Sequence, residues 1–219
     1  MDDYEEKYHK QKRLTDQLMH ALAKVADECG NYTKDHSERV ALYSMEIARR
    51  LGKSRAEQYE IYQMGLLHDI GKIGVPDTIT GKADNLADKE YDMMKRHPMI
   101  GAKILQNINE LPGLAVGARW HHERYDGQGY PDALAGEDIP EEARIIAIAD
   151  AYDAMSSQRN YSSVMGQQYV RTEIEKGKGT QFDPAIADVL LEMIDSDVDY
   201  VMNSETSLLV IREFFEILD

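Results

Sequence analysis

The sequence predicts an all-α protein, and three observations carry that prediction. Apolar residues recur at three- and four-residue spacing in one segment after another. Start and stop residues stand where those stripes begin and end, as in Gly52, Ser54-x-x-Glu57 and Pro140. No pair of alternating apolar runs is joined by a hairpin turn.

Taken in order, Leu14, Leu18, Leu22 and Val25 give residues 1 to about 29 a helical stripe. Such a helix either packs on its own domain or serves as a short dimerising or signal-transmitting element. Gly30-Asn31 breaks it. Thr33, Asp35 and Ser37 offer caps for a helix ending at Arg50-Leu51, with Val40, Ile47 and Leu51 buried and His36 in its first turn. The Ser54–Glu57 capping box opens a helix that turns Ile61, Met64, Leu67 and His68 inward and ends near Asp69. Ile73–Pro76 reads as an extended turn and residues 77–87 as a polar loop. A helix from about Asp88 carries Tyr91, Met94 and His97; Pro98 then either breaks it or starts a new one, which continues to about Ile108. Leu114–Glu123 is the next helix and contains His121-His122. Arg124 to Pro131 has the glycines, aspartate and proline of a loop. Pro140 opens a central helix, apolar on most sides through Ile145, Ile146, Ile148 and Ala149, with Asp150 and Asp153 on one face. Thr180–Pro184 is a turn into a last helix through Ile186, Leu190 and Ile194. The chain thus divides into an N-terminal helix (1–29), a main domain (30–195) and a tail (196–219).

The 219 residues suffice for one domain with a substantial core, and the 42% apolar and 30% charged fractions are those of a soluble globular chain. The acidic start lacks the regions of a signal peptide, no apolar run approaches the ~20 residues needed to span a bilayer, and Cys29 is the single cysteine. These observations predict a cytoplasmic protein without membrane partners. A net charge of −15 argues against binding a nucleic-acid polymer. An anionic small substrate stays compatible with it, because bound metal ions reverse the potential inside one pocket.

The chemistry concentrates on His68-Asp69-Ile70-Gly71-Lys72. Its distant partners are His36, His97, His121-His122 and Asp150, so that five of the seven histidines belong to one set. A carboxylate in a buried helix is costly unless it binds a cation or hydrogen bonds, which marks Asp150 as a ligand candidate. Histidine and carboxylate ligands from several helices can hold two metal ions in a bundle core. Adjacent ligands such as His68 and Asp69 lie about 100° apart around a helix, so that one serves each metal or Asp69 bridges both. Two metals about 3.5–4 Å apart can clamp the oxygens of a phosphodiester. A nitrogen and oxygen donor set without thiolate suits iron, manganese, zinc, cobalt or nickel.

His68-Asp69-Ile70-Gly71-Lys72-Ile73, His121-His122-Glu123-Arg124 and Asp126-Gly127-Gln128-Gly129-Tyr130-Pro131 resemble the HD-GYP family of bacterial cyclic dinucleotide phosphodiesterases. His36-Ser37-x-Arg39-Val40, Lys95-Arg96-His97-Pro98, Arg144 to Asp150 and Gly179 to Pro184 extend the resemblance over residues 30–194. It implies an HD-superfamily helical bundle with a Gly-Tyr-Pro loop, and hydrolysis of cyclic di-GMP to linear pGpG and onward to GMP. It also implies metal ligation by His68, Asp69, His97, His121, His122 and Asp150, with iron or manganese as the expected ions. His36 matches a ligand of three-metal members. Tyr32 stands where those members have a glutamate, so two metals are expected, with His36 at the margin of the site or against the substrate. Asp69 and Lys72 are the expected catalytic residues, and Arg159, Tyr130 and Asp153 the expected substrate-side residues, Asp153 by orienting a ligand or Lys72. Ser162 replaces a basic phosphate contact. The loop at Tyr130 is a candidate protein-partner surface, and a homodimer is a further expectation. Alternative readings are hydrolysis of another nucleotide, such as 3′3′-cyclic GMP-AMP, and a non-catalytic cyclic di-GMP receptor.

Overall fold

The protein is described by a computed structural model over residues 3–30, 35–82, 84–157 and 166–197. Among these residues the secondary structure is helical, with one isolated bridge between Lys178 and Phe182 and no strand. The residues 32, 159 and 162, and the tail from 198 onward, lie outside the described residues.

α1 (Asp3–Gly30) forms as expected, but the face it buries differs from the expected stripe. Leu14, Leu18, Leu22 and Val25 are 45–56% exposed, whereas Met19, Ala23 and Ala26 enter the core. The two alanines let the helix lie close, and polar residues beside them find partners. Asp16 accepts the Tyr59 hydroxyl, and His20 Nε2 lies 3.0 Å from the Tyr62 hydroxyl. Asp27 accepts the Ser37 backbone N–H at 3.3 Å and its hydroxyl at 2.5 Å. These contacts tie the C-terminal half of α1 to α2 and α3, as in the reading in which the helix packs on its own domain.

Asp27 thus supplies the cap for α2 (His36–Arg50), since Asp35 at the cap position adopts a left-handed φ of 63° and caps nothing with its side chain. α3 (Arg55–Leu66) starts on the predicted box, Ser54 and Glu57 each bonding the other's backbone N–H. It stops before the predicted end. Successive three-residue bonds, from Leu67 to Met64, His68 to Gly65 and Ile70 to Leu67, tighten the chain into the 3-10 turn Ile70–Gly74. His68 and Asp69 therefore project from a turn and not from a regular helix. The expected polar loop contains a one-turn helix, α4 (Asp77–Thr80), pinned by buried Ile79. Pro98 marks a new helix: α5 (Asp88–Met94) ends and α6 (His97–Leu105) begins at His97. α7 (Gly113–Trp120) ends at Trp120, leaving His121 as its cap and His122 in the following turn.

α8 (Glu141–Ser156) is the central helix: Ile145, Ile146, Ile148 and Ala149 are 0% exposed. It packs against α2, α3 and α7, and against α9 (Gln167–Gly177) and α10 (Pro184–Ser196). Tyr43 of α2 meets Tyr152 of α8 edge to face at 5.0 Å. α9 was not anticipated from the sequence; its signal is the pair Val170 and Ile174, buried one turn apart. No helix among the described residues is long and apolar enough to cross a membrane.

The 3-10 turn lies directly on α6. A Cβ at Gly71 would sit 1.9 Å from the His97 carbonyl oxygen and 2.5 Å from the Gly101 nitrogen, backbone atoms that cannot move aside singly. Gly71→Ala should therefore destabilise the domain by about 3 kcal/mol or abolish folding. Urea unfolding checks this; a midpoint equal to that of the unaltered protein would contradict the packing.

Candidate metal centre

Asp69 is 1% exposed and stands between two sets of histidines, one for each carboxylate oxygen. Oδ1 lies 3.2 Å from His97 Nε2 and 3.7 Å from His121 Nε2. Oδ2 lies 3.3 Å from His68 Nε2 and 3.9 Å from His36 Nε2. Ligand-capable atoms of Asp69, His97, His121 and His122 converge within 4.8 Å, as do those of His36, His68 and Asp69. Asp150 joins the second set, its Oδ1 3.5 Å from His36 Nε2.

The other ring nitrogen of each of four histidines is held by an acceptor. Nδ1 of His36 donates to Asp153 Oδ2 at 2.7 Å, and Nδ1 of His68 to the Gly65 carbonyl at 2.7 Å. Nδ1 of His97 donates to the Met94 carbonyl at 2.8 Å, and Nδ1 of His121 to the Ala118 carbonyl at 3.0 Å. With Nδ1 committed, each ring turns its Nε2 toward the centre. His97 and His121 then face each other, Nε2 to Nε2, at 3.3 Å, an arrangement that repels unless a cation lies between. His68 Nε2, Asp69 Oδ1 and Asp150 Oδ1 are buried without a hydrogen-bond partner. Buried orphans of this kind fit a cation-binding cluster.

The electrostatics agree. Burial opposes ionisation of Asp69, yet Lys72 and His68 hold its carboxyl well below the usual range. Burial also lowers His68, but the adjoining carboxylate outweighs it and raises that imidazole to about 9. Burial and neighbouring imidazoles lower His121 strongly, and burial with His97 takes His122 to about 3. The metal-free site thus combines an ionised aspartate with neutral His121 and His122 and a His68 that the carboxylate holds protonated, a proton that a divalent transition metal would displace from this donor set.

Each expected site residue within the described chain has a definite place. His36, expected at the margin or against the substrate, is 0% exposed at the floor of the second set. Lys72 is 5% exposed and donates to Asp69 Oδ2 at 2.6 Å. Asp153, expected on the substrate side by orienting a ligand or Lys72, is 1% exposed and reaches from α8 across to α2. Besides His36 it accepts Arg39 Nε at 2.6 Å, Arg39 Nη2 at 3.0 Å and the Ser157 hydroxyl at 2.9 Å. Its carboxylate is thus bonded to His36, while Lys72 is bonded to Asp69. Arg39, given no role from the sequence, neutralises Asp153; its only signal was its place one turn after His36. Tyr130 lies over His122, ring centres 4.8 Å apart.

Beside the cluster opens a cavity of about 470 Å³, lined by His121, His122, Tyr130, Asp150, Met155 and Phe182 among others. Its volume is that of a small-molecule site. Glu173, Gln181 and Phe182 at its far side come from α9 and the turn before α10, which sequence reading had assigned no site role.

The fold and site define a helical bundle that gathers histidine and aspartate side chains in its core, in an arrangement able to hold metal ions. The HD domain family matches residues 17–186, and the chain belongs to that family, with the HD-GYP pattern written in its own residues. The cyclic di-GMP phosphodiesterase response regulator RpfG of Xanthomonas campestris pv. campestris is 40% identical over 173 residues, covering 78% of this chain and 46% of that protein. The 3′3′-cGAMP-specific phosphodiesterase 2 of Vibrio cholerae is 36% identical over 181 residues, covering 82% of this chain and 35% of that protein. The chain therefore spans less than half the length of these relatives. A crystal structure of a cyclic GMP-AMP specific phosphodiesterase from V. cholerae (V-cGAP3) shares the fold at a TM-score of 0.68 and 19% identity, over 89% of this chain and 52% of that one.

Removing the Asp153 carboxylate leaves Arg39 buried without its partner and His36 without its orienting acceptor. Asp153→Ala should cost about 3–5 kcal/mol of stability. Asp153→Asn, which keeps the shape, should stay folded and lose manganese affinity by about tenfold or more. Urea unfolding and calorimetric titration with manganese check both; full affinity in Asp153→Asn would contradict the orienting role.

Proposed function

We propose that this chain is a metal-dependent phosphodiesterase that hydrolyses cyclic di-GMP, with linear pGpG or GMP as its end product. The observation that carries the proposal is the Asp69 carboxylate, which offers one oxygen to each of two histidine sets at the edge of a small-molecule cavity. Two divalent ions, iron or manganese, fit that arrangement. One set comprises Asp69, His97, His121 and His122; the other comprises His36, His68, Asp69 and Asp150. When bound, such ions supply an activated water and neutralise charge on phosphoryl oxygens.

The chain's own groups prepare the reaction. Lys72 bonds Asp69 Oδ2, fixing that carboxylate, and would place a positive charge near the phosphoryl oxygens on which negative charge develops. Tyr130 walls the cavity above His122, and Ala147, Ala151 and Ala154 form a smooth side on α8 against which a base or ribose can lie. Arg159, outside the described residues, is assigned to the second phosphate by the sequence pattern. A protein partner at the Tyr130 loop, a homodimer and a cytoplasmic setting belong to the same reading. The exposed Leu14, Leu18, Leu22 and Val25 stripe supports the dimer.

The second reading is hydrolysis of 3′3′-cyclic GMP-AMP, supported by the relative named for that substrate. Anaerobically purified protein, loaded with iron or manganese, should convert cyclic di-GMP faster than 3′3′-cyclic GMP-AMP or cyclic di-AMP when products are separated by chromatography. Faster release from the mixed dinucleotide would select the second reading. Tight binding without product in the loaded protein would overturn both in favour of a receptor.

A further inference from the structure

Glu123 follows the two adjacent histidines of the cluster, is 3% exposed and lies outside the ligand sets. Its carboxylate reaches across to the next loop. One oxygen accepts the Asp132 backbone N–H at 2.7 Å and the other the Leu134 backbone N–H at 3.1 Å. Burial pushes this carboxyl up from its ordinary range, against the pull of those two bonds.

Further contacts hold the same loop. Arg119 donates to both oxygens of Asp132 at 2.8 and 3.0 Å, and Trp120 Nε1 donates to Asp132 Oδ2 at 2.8 Å. The Tyr130 backbone N–H donates to the His122 carbonyl at 3.2 Å. A Cβ at Gly129 would lie 2.4 Å from the Arg124 nitrogen and 2.5 Å from Glu123 Cα, so the loop rests directly on the histidine segment. Tyr130 sits between these anchor points, its ring 4.8 Å from that of His122 and tilted by 30°.

We infer that Glu123 is a positioning residue: its carboxylate clamps the loop so that Tyr130 stays seated on the His122 ring, fixing that ring in the cluster and the wall of the cavity. The chemistry suits the task. A carboxylate presents two acceptors in one plane and can take two backbone donors from neighbouring residues at once. An amide of the same shape keeps one acceptor and turns a donor toward the other N–H. The kinetic part of the inference rests on the phosphodiesterase reading; the spectroscopic part does not.

Trp120 is the only tryptophan in the chain, so its emission reports the clamp directly. Glu123→Gln and Glu123→Ala should remain helical by circular dichroism. Their Trp120 emission should move to the red, with stronger quenching by acrylamide. Manganese affinity should fall about tenfold, as it does when groups that orient metal ligands are lost. The KM for cyclic di-GMP should rise by more than kcat falls. Tyr130→Ala should reproduce the KM change while Trp120 keeps its emission, because the anchors on Asp132 remain.

A folded Glu123→Ala with unaltered emission, manganese affinity and KM would overturn the inference. So would a variant that only melts at lower temperature while those three readings stay at their original values, since that is the mark of a purely structural carboxylate. If the unaltered protein turns over no cyclic dinucleotide, the phosphodiesterase reading fails, and Trp120 emission with manganese affinity still decides the clamp.

Discussion

The Asp69 carboxylate is surrounded by four imidazole Nε2 atoms and the Lys72 ammonium, all within 4 Å. A buried anion in such company is tolerable only if its charge is matched, which Lys72 and His68 do at Oδ2, and if its other oxygen also finds a partner. Oδ1 is left facing His97 and His121, neither of which has a proton to give when its Nδ1 is committed to a backbone carbonyl. The centre is built as a convergence of donor atoms on Oδ1 and its neighbouring imidazoles. Much of the surrounding architecture is the means of holding those atoms in place.

The means are mostly backbone. Three-residue bonding after α3 turns His68 and Asp69 inward together, and Gly71 lets this turn lie against the His97 carbonyl. His97 enters at the first residue of α6, and His121 at the last turn of α7. Carbonyls that the helix ends leave unpaired then accept from the histidine rings and fix their tautomers. His36, by contrast, bonds a side chain through its Nδ1. Its acceptor, Asp153, needs Arg39 to stay ionised in the core. The Asp27 cap on Ser37 connects α1 to the same first turn of α2, so the N-terminal helix and the second ligand set share one anchor.

The sequence disclosed the composition of the site better than its geometry. Histidines and aspartates at buried, helix-terminal positions stand out because an unmatched polar group there is costly, and their joint order limits what they can assemble. The helical class followed from periodicity for the same reason: most stripes, such as Ile61, Met64 and Leu67, face the core. Leu14, Leu18, Leu22 and Val25 broke the rule, because two alanines and three hydrogen-bonding side chains outcompeted a leucine face for the contact. The end of α3 was misplaced since nothing local separates three-residue from four-residue bonding. Asp153 and Arg39 could not be paired from the sequence: their contact spans 114 positions and depends on how α2 crosses α8. α9 escaped notice because Val170 and Ile174 make too short a stripe.

The central claim is that Asp69 joins two metal positions. The most direct measurement is elemental analysis of anaerobically prepared protein beside Asp69→Ala, with both shown to be folded by circular dichroism. The account predicts about two divalent metals per chain in the unaltered protein and loss of both in the variant, because each position loses the same carboxylate. Retention of the full complement by a folded Asp69→Ala would contradict it.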